Sequence, residues 1–188
     1  MVMRIAVMGA TGYTALELLK LLRRHPEVEI VALTSRQESR PHISEVHSEL
    51  RGALDLHLEP LDVEMLVGKV DVAFSCLPHA ASAECVKPLV DNGVKVVDFS
   101  ADYRLNNVAV YEQWYGVTHP DPDRIGKVPY GLPELFREQI TGSSLIANPG
   151  CYPTSAILPL APLVKHGIIE STGIIIDSKS GVTGAGRN

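Results

Sequence analysis

The chain has 188 residues, 45% hydrophobic and 21% charged, with 15 glycines and a formal net charge of -5. That is an ordinary soluble globular composition with enough chain for a sizeable core, and its acidic balance excludes the basic footprint of a nucleic-acid binder. Cys76, Cys85 and Cys151 are odd in number and lack metal-type spacing, which excludes a disulfide framework and a metal site; no apolar run reaches membrane-spanning length and no cleavable apolar segment precedes the first strand, so the expected location is cytoplasmic.

Residues 5–8 are apolar throughout, as a parallel strand buried on both faces should be, and Gly9-Ala10-Thr11-Gly12-Tyr13-Thr14-Ala15 follows at once. Ala15, Leu18, Leu19 and Leu22 then mark one face of a helix that Pro26 stops, and residues 28–33 form a second strand. A strand, glycine turn, helix and strand is the unit that holds a dinucleotide pyrophosphate on backbone N–H groups at the helix start. The spacing is G-x-x-G-x-x-A and departs from G-x-G-x-x-G, so the same turn also suits any parallel α/β protein. The second strand ends in Leu33-Thr34-Ser35-Arg36, where an NAD site usually offers an acidic residue; a hydroxyl and a guanidinium suit a 2′-phosphate, and a solvated loop arginine is the alternative.

Residues 37–61 are polar and weakly patterned, and their histidines, His42, His47 and His57, are expected on the surface or in loops because their spacing places no two on one helical face. Residues 70–75 form another central strand, ending in the turn Cys76-Leu77-Pro78-His79 at the sheet edge where open α/β folds bind ligands. A helix over 80–90, a cap at Asn92-Gly93 and a strand over 94–99 come next. Arg104 follows that strand and suits either an anion or an ion pair with Asp102. Residues 111–134 read as an irregular, packed connection whose aromatics, Trp114 among them, need burial.

Leu145-Ile146-Ala147 reads as a short buried strand and the residues from Ser155 as a helix, which puts Asn148-Pro149-Gly150-Cys151-Tyr152-Pro153-Thr154 at a strand-to-helix turn. A thiol there meets the positive end of the helix dipole, which favours the nucleophilic thiolate; a small buried hydrophobe is the other reading of Cys151. Residues 174–177 are expected as a further strand, followed by the second glycine turn Ser180-Gly181-Val182-Thr183-Gly184-Ala185-Gly186-Arg187. The expected fold is a Rossmann-like, doubly wound parallel sheet over 1–150, with 151–188 beginning an α+β substrate domain.

Five segments taken together resemble the N-acetyl-gamma-glutamyl-phosphate reductases, arginine-pathway members of the semialdehyde dehydrogenase group. They are Gly9-Ala10-Thr11-Gly12-Tyr13-Thr14, residues 97–104, Tyr130-Gly131-Leu132-Pro133-Glu134, the turn around Cys151, and the turn from Ser180 to Arg187; in the family's order they span essentially the whole chain. Tyr-Pro-Thr after the cysteine separates it from aspartate-semialdehyde dehydrogenases, and Ala15 replaces the family's third turn glycine. The resemblance implies an NADP-dependent oxidoreductase, homo-oligomeric at full length, acting on a small acyl phosphate and exchanging inorganic phosphate. It implies Cys151 as nucleophile; Gly9, Thr11, Gly12, Tyr13 and Thr14 at the pyrophosphate; Ser35 and Arg36 at the 2′-phosphate; Pro78, Gly181 and Gly184 along the cofactor; and Arg104 with Asn148 on the substrate phosphate. The family's acid/base histidine lies well after the last glycine loop, where none of His25, His42, His47, His57, His79, His119 or His166 stands, so an N-terminal portion of a longer enzyme is expected. A lysine-pathway aminoadipyl-phosphate reductase and a non-catalytic dinucleotide-binding module remain the alternatives.

Overall fold

The computed structural model describes residues 2–37 and 39–186. At its centre is a six-stranded sheet in which β1 (Met3–Met8), β2 (Val28–Ser35), β3 (Leu58–Pro60), β4 (Val72–Ser75), β5 (Lys95–Asp98) and β6 (Leu145–Ala147) run parallel in the order β3-β2-β1-β4-β5-β6. The chain winds outward from β1 to β3, then returns to the other side of β1, so the direction of winding reverses between β1 and β4. This is the doubly wound arrangement expected, and its ligand crevice belongs at the carboxyl ends of those two strands.

Strand alternation supplies both cores. Ile5, Val7 and Leu33 point to one face, where Ala15, Leu16, Leu19 and Leu22 of α1 (Tyr13–Leu22) cover them together with Ile43 and Leu50. Ala6, Met8, Ala73 and Val96 point to the other, against Leu66 of α3 (Val63–Leu66) and Val86 and Leu89 of α4 (Ala83–Asp91). Each fully buried leucine contributes about 1.5–3 kcal/mol, so these two layers fix the sheet between its helices.

The residue that leaves each strand stays tied to its neighbour. Ala10 N–H donates to the Thr34 carbonyl (2.9 Å), Cys76 N–H to Met8 (2.9 Å), Phe99 N–H to Ser75 (2.9 Å) and Asn148 N–H to Asp98 (2.8 Å). Four loops therefore start from one straight edge. The first two of them touch: a Cβ on Gly9 would lie 2.7 Å from the Cys76 carbonyl oxygen, and Gly9 has φ +74. Only glycine satisfies both conditions.

Several expectations are corrected. Residues 174–177 form no strand; Ile175 is 92% exposed, and no neighbouring strand among the described residues offers the ladder that β-branched propensity alone cannot replace. The connection after β5 is more regular than expected, with α5 (Val108–Tyr115) and α6 (Pro133–Ile140). On α5, Tyr111 and Tyr115 stack at 4.8 Å over the core, while Trp114 is 76% exposed. In the polar stretch, a four-residue helix, α2 (Ile43–Val46), precedes His47, which is fully buried.

Gly9→Ala is expected to lower stability by about 2–4 kcal/mol, strain and clash together, whereas Gly52→Ala, at φ +69 with open space around it, should cost about 1–2 kcal/mol from strain alone. Urea unfolding of both variants checks this; equal losses would show that the contact with Cys76 relaxes freely.

Candidate active site

The glycine turn is built to leave the start of α1 open. Gly12 is its N-cap (φ -78, ψ 162), and a Cβ added there would meet nothing nearer than the Gly9 carbonyl at 3.7 Å, so glycine at this position answers to no packing inside the chain. No acidic residue stands in the first turn of α1, which leaves its positive dipole end unopposed. Ala10 is pinned at both backbone groups, its N–H on Thr34 and its carbonyl accepting from the buried His47 Nε2–H at 2.8 Å. Thr11, Gly12 and Tyr13 are half-buried and Thr14 is exposed. An open, cationic helix start beside a glycine with room over it fits a dinucleotide pyrophosphate.

At the end of β2, Ser35 is buried with its Oγ accepting from Gln37 N–H (3.2 Å), and Arg36 stands exposed beside it. Arg36 lies close enough to α4 for its charge to oppose the rise that burial imposes on the Cys85 thiol. Next to them, Thr34 Oγ1 is buried without a partner among the described residues, and Thr34 borders a cavity of about 160 Å³ that Arg40, Lys69, Met65 and Leu66 also line.

The thiol turn lies three strand spacings along the edge from the glycine turn, about 14 Å. Beyond β6, Gly150 caps α7 (Cys151–Lys165) with φ -74 and ψ 160, and its carbonyl accepts from Thr154 N–H (3.0 Å) and Thr154 Oγ1–H (2.9 Å). Cys151 is the first helical residue and is exposed, so it is not the small buried hydrophobe. Arg104 is laid against this start: Nε–H donates to the Asn148 carbonyl at 2.8 Å, Nη2–H to the Phe99 carbonyl at 2.6 Å, and Nη1 lies 3.1 Å from where a Cβ on Gly150 would sit. The absent side chain of Gly150 thus lets a guanidinium approach the helix terminus. Asn148 joins through its backbone, its side chain turning to the Pro149 carbonyl (3.2 Å).

Cys151 also shares an open depression of about 570 Å³ with Tyr152, Ser155 and residues 176–181, so Gly181 lines the same depression as the thiol. Gly184 does not line it; it lies in the short turn Val182–Ala185, against Ser180. Arg187 lies outside the described residues. Pro78 is exposed at the crevice, on the turn that Gly9 touches. The described residues contain no group of three or more His, Cys, Asp or Glu able to hold a metal ion, and no helix among them is long and apolar enough to cross a membrane.

What the sequence did not disclose is the buried polar frame behind these loops. Asp98 accepts from Ser82 Oγ–H (2.7 Å), Ser100 N–H (3.0 Å) and Ser100 Oγ–H (2.7 Å), and burial raises its carboxyl above the usual range in spite of those donors. Asp102 makes no pair with Arg104. Its carboxylate is taken by the N–H groups of Ala80 (2.8 Å), Ser82 (3.1 Å) and Ala83 (2.9 Å) and by the Tyr111 hydroxyl (3.0 Å). The one local clue is that α4 starts without a side-chain cap of its own.

The sheet order and the glycine turn at its switch point define an α/β protein of the dinucleotide-binding class, with an exposed thiol on the same edge. The chain belongs to the semialdehyde dehydrogenase family: residues 4–143 match the model of the semialdehyde dehydrogenase NAD-binding domain, and residues 151–188 that of its dimerisation domain. Among curated relatives, the N-acetyl-gamma-glutamyl-phosphate reductase of Rhodopirellula baltica is 55% identical over 99% of this chain and 54% of its own length. That of Heliobacterium modesticaldum is 51% identical over 98% and 53%. The chain thus spans about half the length of these relatives. A crystal structure of Candida albicans aspartate semialdehyde dehydrogenase with NADP shares the fold, with a TM-score of 0.66 at 23% identity over 88% of this chain and 48% of that one.

The three thiols should separate under alkylation. Burial, with help from the Asp98 charge, pushes Cys76 up to about 12, and burial raises Cys85 as well. At pH 9 only about one Cys76 in a thousand is thiolate. Mass-resolved labelling with iodoacetamide is therefore expected at Cys151 first, by more than about tenfold; preferential labelling of either other thiol would remove Cys151 as the accessible nucleophile.

Proposed function

We propose that this chain is the cofactor-binding and thiol-bearing part of an NADPH-dependent enzyme that reduces N-acetyl-gamma-glutamyl phosphate to N-acetylglutamate 5-semialdehyde, a step of arginine biosynthesis. The observation that carries the reading is an exposed cysteine at a helix start with an arginine held beside it, on the same sheet edge as an open glycine turn. The names of the relatives support this substrate over an aminoadipyl phosphate.

In the proposed reaction the Cys151 thiolate attacks the acyl carbon, a C–S bond forms, the bond to the phosphate oxygen breaks, and inorganic phosphate leaves from a thioester. Cys151 attacks from the start of α7, and Arg104, anchored on two carbonyls, offers Nη1 to the departing phosphate. Gly12 and its neighbours hold the pyrophosphate, and Ser35 and Arg36 the 2′-phosphate that distinguishes NADPH. When bound, NADPH supplies the hydride that takes the thioester to the aldehyde level and frees the thiol.

Proton transfer falls to no histidine of this chain. His47 and His119 are buried on backbone carbonyls. His42 caps α2, while His25 and His79 accept from backbone N–H groups and His57 donates to the Arg40 carbonyl. His166 ends α7, about 20 Å from Cys151.

In protein extended to the length of its relatives, Cys151→Ser is expected to abolish phosphate-dependent oxidation of N-acetylglutamate semialdehyde while leaving NADP binding intact; residual turnover above about a thousandth would reject the thioester route. Titration should show NADPH bound more tightly than NADH, and Arg36→Ala should weaken NADPH alone by about ten- to a hundredfold. Equal affinities before substitution would remove Ser35 and Arg36 from the 2′-phosphate.

A further inference from the structure

We propose that Asp102 is a positioning residue of the cofactor edge, its carboxylate holding the turn at residues 78–80 and the start of α4 in place from the loop after β5; this rests on reading that edge as the dinucleotide site.

The first turn of α4 cannot satisfy itself. Ser82, in its N-cap position, has helical dihedrals (φ -75, ψ -45), and its hydroxyl donates to Asp98, so no local side chain receives the buried N–H groups of the first turn. Asp102, twenty residues on, supplies both oxygens: Oδ2 accepts from Ser82 and Ala83, and Oδ1 from Ala80 and Tyr111. Ala80 has φ +62, the left-handed region that a residue with a Cβ rarely enters, and its N–H is bonded to this carboxylate. A second tie runs the other way, Ala101 N–H donating to His79 Nδ1 at 2.9 Å.

The anchor is itself fixed. Asp102 N–H donates to Ser100 Oγ (3.1 Å), and its carbonyl accepts from His119 Nε2–H (2.9 Å). The turn so held carries exposed Pro78 and His79 and follows directly on Cys76, which Gly9 touches. Asp102 is therefore where the loop bearing Arg104 and the turn facing the glycine crevice are joined. A shift of one residue's dihedrals at Ala80 would move the crevice wall without unfolding the sheet.

Asp102→Asn keeps the volume but leaves one acceptor oxygen and turns an NH2 group toward donors. Its NADPH dissociation constant, read by fluorescence titration, is expected to rise about tenfold or more. Tyr103→Phe, which removes an adjacent buried hydroxyl donating to Asp121 (2.9 Å), should stay within about twofold of the unsubstituted protein. Ala80→Gly in the Asp102→Asn background should recover most of the lost affinity, because glycine holds φ +62 without help. Unchanged affinity in Asp102→Asn, an equal loss in Tyr103→Phe, or no recovery with Ala80→Gly would each overturn the proposal. Should the unsubstituted protein bind no dinucleotide, the reading of the edge fails; amide exchange at Ala80, Ser82 and Ala83 then decides the anchoring, upheld if the three speed up in Asp102→Asn and overturned if they do not.

Discussion

Two strand ends meet more closely at the carboxyl edge of this sheet than any side chain would allow. Gly9 leaves β1 at φ +74, and the space a Cβ would fill there is already within 2.7 Å of the carbonyl leaving β4. Because these are the strands between which the winding reverses, that contact fixes the floor of the crevice and the relative height of its two walls. The start of α1 is aimed from one wall and the turn at Pro78 from the other. A larger residue at position 9 would not merely strain a turn; it would part the two halves of the sheet at the place where they must cooperate.

Above that floor the loops are held by charge buried behind them. Asp98 and Asp102 lie in the core at 0% exposure, with three and four donors respectively from loops that start on different strands. Removing such a carboxylate from water is costly unless every lone pair finds a donor, so the arrangement tolerates few alternatives. Arg104 works from the opposite side, a cation whose Nε and Nη2 donate to two carbonyls. The thiol turn and the loop after β5 thus share one polar joint, and Gly150 leaves the room for it.

Where one local pattern sufficed, the sequence was readable. The runs read as strands at 5–8, 70–75 and 145–147 became parallel strands β1, β4 and β6, and glycine after the first of them, followed by an i, i+3, i+4, i+7 face, gave the turn and helix. Cys151 between an apolar triplet and a helical run came out at a helix start, as its flanks require. What stayed hidden depends on partners distant in the chain. Leu58-Glu59-Pro60 is an edge strand only because β2 offers a ladder, and 174–177, more β-prone by composition, has none among the described residues. His47 is buried because a carbonyl 37 residues earlier receives it, and Asp102 turned from the neighbouring Arg104 to amides some twenty residues before it. Burial of a polar side chain is decided by such partners, which no periodicity encodes.

The placement of the thiols has a consequence for oxidation. Cys151 is exposed, whereas Cys76 and Cys85 pack against cores on opposite faces of the sheet. Cys76, leaving β4, is two strand spacings from the strand that leads to Cys151, about 9–10 Å, beyond the roughly 7 Å between α-carbons that a disulfide can bridge. A sulfenic acid formed on Cys151 therefore has no resolving thiol within its own sheet. None of the three thiols of this chain shortens its path back to the reduced state, and the same exposure leaves the sulfur open to further oxidation to irreversible sulfinic acid.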